Sequence, residues 1–99
     1  MFANQHSNPF PLAGVISSCV ALDDALSIEH YPQARHHARV IALRGNGAGF
    51  DGIATSAMAL MNALDREIRP ARAEWGPVVE RLHRAIDEAL VALPSDPTE

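Results

Sequence analysis

Lysine is missing from this 99-residue chain, and every basic side chain among its formal charges is arginine. Eight basic residues against twelve acidic ones leave a net charge of −4. That balance removes the electrostatic footprint a nucleic-acid partner requires. Cysteine is nearly absent too. The one present, Cys19, excludes an intramolecular disulfide. It lies in the apolar run Val15–Leu22 with no His or Arg beside it in sequence, so it is expected as a small buried hydrophobe, not a reactive thiol. No apolar run reaches the length of a membrane span, and the first residues lack the basic-then-apolar order of a signal peptide. A cytoplasmic protein is expected. Alternating strand patterns and internal repeats are also lacking. What remains is 47% hydrophobic and 20% charged, the composition of one ordinary globular domain.

Helical periodicity fills the middle of the chain. Residues 1–10 are polar with Pro9 and are expected to be a flexible segment; residues 94–99, with Pro94 and Pro97, are expected to be a flexible tail. Between them, residues 11–93 carry four helical stretches. The first spans about Pro11 to Leu26, with Leu12, Val15, Ile16, Cys19, Leu22 and Leu26 as its stripe. The second begins at Tyr31-Pro32 and runs to about Gly47. The third follows Asp51, a plausible N-cap, and carries Ile53, Ala57, Leu60, Leu64 and Ile68. The fourth opens near Pro77 and runs to Leu93, with Trp75 just ahead, placed to lie over the end of the bundle. Four single-striped helices joined by short turns bury their stripes most economically as an all-α, antiparallel up-down four-helix bundle.

The stretch Val40 to Ile53 contains Gly47-x-Gly49-x-x-Gly52, the letters of a dinucleotide-binding fingerprint. That motif needs a following parallel strand and an acidic residue to hold a ribose. Here Pro70, Trp75 and a further helix follow instead, so no nucleotide or other cofactor is expected.

Leu43-Arg44-Gly45-Asn46-Gly47-Ala48-Gly49-Phe50, with Ile53, Ala57 and Leu60 beyond, resembles the signature of histidine-containing phosphotransfer domains. In that family a helix carries His-x-Leu-(Lys/Arg)-Gly and a small-residue stretch before the next helix. The resemblance is sharpest over residues 40–64, and the four-helix layout agrees with it. It implies an open face on the second helix, where a receiver domain's aspartyl phosphate meets an imidazole, with Gly45 giving clearance and Arg44 offering a cation to the phosphoryl oxygens. Two features depart from the family pattern. Ile41 stands at the position of the phosphoacceptor histidine, where it cannot form a phosphoramidate, and the turn is shorter than usual. The resemblance therefore implies a pseudo-phosphotransfer bundle that binds a response-regulator receiver or a histidine kinase without carrying phosphate. Its expected partner-binding residues are His37, Ile41, Arg44, Gly45, Gly47 and Ala48, with Ile41 facing outward.

The residues leave other readings open. His37, one turn before Ile41, is a candidate phosphoacceptor of its own, although Ile41 takes the place of the clearing glycine. His36 falls on the stripe of Val40, Leu43 and Gly47 and is expected partly buried. Ile41 could instead join Ala34, Ala38 and Gly45 in a second apolar face that packs into the core or a homodimer, leaving a generic protein-interaction module. Five histidines invite a metal reading, and Glu80-x-x-His83 with Asp87 has a di-iron-like spacing, but the second half of such a ligand set is missing, so no metal site is expected. Asp23-Asp24 reads as a solvated acidic pair. No catalytic triad or dyad assembles, and the protein is not expected to be an enzyme.

Overall fold

The computed structural model describes residues 10–66 and 69–92. Four helices occupy them: α1 (Phe10–Ser27), α2 (Tyr31–Ala48), α3 (Asp51–Asp65) and α4 (Arg72–Ala92). Each packs on the next, α1 on α2, α2 on α3 and α3 on α4, in an up-down four-helix bundle. Among the described residues there is no strand, and no helix is long and apolar enough to cross a membrane. Residues 1–9 and 94–99, on which the two flexible segments were expected, lie outside the described residues, as do Leu93 and Ile68, while Phe10, expected in the first of those segments, opens α1.

The apolar stripes become the core. From α1 come Leu12, Val15, Cys19, Leu22 and Leu26; from α3 Ile53, Ala57, Leu60 and Leu64; from α4 Val79, Leu82 and Ile86. Ile16 and Val78 sit at the margin, and Leu90 is exposed. Helix α2 lies between α1 and α3 and contributes mostly small residues, Ala34, Ala38 and Ala42, around one large one, Ile41. Alanine there lets neighbouring backbones approach while still removing apolar surface from water.

The first two turns share one design. At the end of α1, Glu29 N–H donates to the Leu26 carbonyl and His30 N–H to that of Ala25; at the end of α2, Gly49 N–H donates to Asn46 and Phe50 N–H to Gly45. Both are Schellman caps around a left-handed residue, Glu29 at φ 58° and Gly49 at φ 83°. His30 then caps the start of α2, its Nδ1 accepting from Gln33 N–H at 3.2 Å.

Two helix starts differ from expectation. Phe50, not Asp51, occupies the N-cap of α3 and makes no side-chain cap bond; Asp51 is inside the first turn, where its charge favours the helix dipole. Helix α4 begins at Arg72, five residues before Pro77. Proline lacks only the one N–H that would reach back to the exposed Ala73, so water can serve that carbonyl and the helix runs through. Trp75 is consequently a helical residue. It is buried edge-on against Tyr31 at the start of α2, ring centroids 6.5 Å apart, with the Arg72 guanidinium 5.8 Å from its centre.

Candidate functional site

Helix α2 carries most of the residues that the sequence singles out, and it is rotated from the expected orientation. Ile41 is 0% exposed and sits in the central packing layer. This corrects the expectation of an outward isoleucine, for a simple reason. Ala34, Ala38, Ile41 and Gly45 recur at helical spacing on one side of α2, and burying the one large aliphatic among them against α1 and α3 outweighs leaving it in water. Gly45 is buried as well. A β-carbon there would meet the Ala54 nitrogen and Ile53 Cγ2 at 3.2 Å and the Phe50 carbonyl oxygen at 3.4 Å. Its bareness lets α2 and α3 close on each other; it does not clear a path for a phosphoryl group. His36, expected partly buried, is exposed.

The outward side of α2 is different in kind. Leu43 is 62% exposed, and Arg39, Arg44 and His36 are exposed around it by helical spacing, with Val40 and His37 half-buried alongside. Gly47 and Ala48 are also exposed. The Arg44 guanidinium lies across α1 at Gly14, where a β-carbon would come within 2.7 Å of Nη1. His37 Nε2 is 3.5 Å from Gln33 Nε2, and its ring meets that of His36 edge-on. Beside this side, Ala21, Ala25, Ile28, Gln33 and His37 line an open depression of about 560 Å³ between α1 and α2. No aspartate or glutamate occurs from His30 to Phe50, so α2 is a basic helix in an acidic chain. That run was visible in the sequence and is easily passed over when charges are summed along the whole length.

The α1–α4 seam holds a second group that the sequence did not bring together. His83 Nε2 lies 3.0 and 3.1 Å from the two Asp23 carboxylate oxygens. The Cys19 thiol completes the cluster, the three ligating atoms all within 4.8 Å of one another. Burial, then the charges of Asp23 and Asp87, push the Cys19 thiol from 9.0 up to about 12, so it is protonated at neutral pH, in line with the expected inert cysteine. Asp23 is half-buried and bonded to His83, so only Asp24 of the acidic pair is a solvated residue. Glu80, expected to pair with His83 by spacing, is exposed and outside the cluster. Asp23 and His83 also edge a depression of about 410 Å³ walled by Tyr31, Arg72 and Trp75. The Trp75 indole N–H is buried there without a hydrogen-bond partner among the described residues. The pattern that encodes the cluster is Cys19-x-x-x-Asp23 on one helix facing His83-x-x-x-Asp87 on another, and only the fold shows that they face.

Comparison with protein-family models, with curated proteins and with solved structures gives no match to this chain, so the resemblance to phosphotransfer domains rests on residues 40–64 and on the four-helix layout.

Proposed function

We propose that this chain is a helical protein-docking module that receives an acidic partner surface on the outward side of α2. The observation that carries the reading is Leu43, 62% exposed on a helix that has three arginines, two histidines and no acid. An apolar centre with a charged rim is the usual anatomy of a protein-binding patch, and Arg is the basic residue most often found there. Arg39, Arg44 and His36 supply the rim; Val40 and the Ile28 depression extend the apolar part. Action is by occupancy, with no bond made or broken in the module.

The partner class implied by the phosphotransfer resemblance, a response-regulator receiver or a histidine kinase, is the first candidate for this rim. With Ile41 and Gly45 inside the bundle, the contact residues shift to Leu43, Arg39, His37 and Arg44. The test is a nuclear magnetic resonance titration of the labelled chain with receiver and kinase-dimerisation domains. The expected result is saturable shifts centred on Arg39–Arg44 that vanish in Leu43→Asp and weaken with added salt. Binding that shifts α3 or α4 instead, or a stable dimer in light scattering that covers Leu43, would replace this reading with another interaction mode.

A further inference from the structure

We infer that Cys19, Asp23 and His83 form a binding site for a thiophilic divalent cation, zinc in the first instance, bridging α1 to α4. The inference is independent of the α2 surface. A tetrahedral zinc ion with bonds of about 2.0–2.3 Å holds its ligand atoms about 3.3–3.8 Å apart. Here the thiol sulfur, a carboxylate oxygen and an imidazole nitrogen already lie within 4.8 Å of one another, and the imidazole and carboxylate are at 3.0 Å. Modest rotation of half-buried side chains closes the difference. Cys19 and Asp23 are one turn apart on the same side of α1, so the helix fixes their spacing. His83 arrives from α4 with its orientation set by the buried Leu82 and Ile86 on either side.

The hydrogen bond between Asp23 and His83 accounts for those two residues. Cys19 belongs to the buried stripe of α1, yet its thiol, 7% exposed, is also brought within 4.8 Å of both members of that pair. A divalent cation would engage all three donor atoms at once. Thiolate plus imidazole plus one carboxylate selects zinc over magnesium or calcium, which take oxygen ligands. The fourth position falls to water from the adjoining depression, which Asp23 and His83 edge. On binding, the thiol gives up one proton to solvent as the sulfur–metal bond forms.

Cobalt(II) tests the assignment on the full, chelator-stripped chain. Because Cys19 is the only cysteine, a thiolate-to-cobalt charge-transfer band can come from no other residue. The expected result is a band that saturates at one ion per chain, is bleached by zinc, and is lost in Cys19→Ser. In His83→Gln, a change at a half-exposed position with an unchanged circular dichroism spectrum as its folding control, the band should be lost or require a far higher cobalt concentration. No band in the wild-type chain, or a band unchanged in His83→Gln, overturns the site.

Discussion

Ile41 and Leu43 stand two positions apart in sequence and on opposite sides of α2, and the bundle assigns them opposite roles. Ile41→Ala opens a hole in the central layer and is expected to lower stability by about 2–5 kcal/mol. Leu43→Ala, at an exposed position, should change it by less than about 0.5 kcal/mol; urea denaturation of both variants measures the contrast, and equal losses would contradict the rotation of α2. The glycines divide in the same way. Gly47 is helical with nothing among the described residues within 4 Å of an added β-carbon, so Gly47→Ala should stabilise by about 0.5–1 kcal/mol. Gly45→Ala meets backbone atoms of α3 that cannot yield, and overpacking there should destabilise by about 1 kcal/mol or more. Two glycines two positions apart in one motif, with opposite signs, would mark the motif as packing. Cys19 adds a pH dependence. Its thiol keeps its proton in the folded chain from 9.0 up to about 12, whereas the unfolded chain loses it, so the unfolded state binds fewer protons in that window. Stability of the metal-free protein should therefore fall as pH rises from 9 toward 12, with Asp23 and Asp87 facing the thiol, and Cys19→Ala should flatten that part of the profile. The orientation of Ile41 was not legible beforehand because α2 has apolar residues on two sides, and periodicity alone does not say which of them the neighbouring helices cover.

At the scale of elements, the stripes of α1 and α3 were legible because their large aliphatics recur at helical spacing: Leu12, Val15, Leu22 and Leu26, then Ile53, Leu60 and Leu64. The start of α4 was not, since Pro77 reads as an opening residue, whereas it stands inside a helix that already begins at Arg72. The turn after α1 was located between Leu26 and Tyr31, but its cap geometry was not legible, for a related reason. Its left-handed position holds Glu29 where the matching turn after α2 holds Gly49, so the glycine signal that ends a helix is missing from the first and present in the second. An L-residue at φ 58° carries a strain of about 1 kcal/mol relative to glycine. Glu29→Gly should thus raise stability by about 0.5–1 kcal/mol, the exposed ion pair with Arg69 at 4.0 Å contributing little in return. A loss of stability in thermal denaturation would mean that the Glu29 side chain, not the backbone, holds the turn.

The molecule as a whole is a chain of neighbours with an incompletely sealed seam. Helices α2 and α3 each pack on two partners, whereas α1 leans chiefly on α2 and α4 on α3, and the edge where first and last helix meet includes the half-exposed His83–Asp23 pair. A surface pair of that kind is worth less than about 1 kcal/mol. Opening therefore should begin at the seam and spare the central pair, since local openings follow the least-buried contacts. Native-state hydrogen exchange on the chelator-treated chain should show the slowest amides around Ala38–Ala42 and Ala57–Leu60, with α1 and α4 exchanging through a cheaper sub-global opening. A cation held by Cys19, Asp23 and His83 would tie the outer helices together, so zinc should slow α1 and α4 toward the rates of α2 and α3, because a ligand that binds only the closed form stabilises it by mass action. Uniform exchange across all four helices without metal would show that the bundle opens only as one unit and that the seam is no weaker than the rest. Slowing by zinc that persists in His83→Gln would place the ion elsewhere.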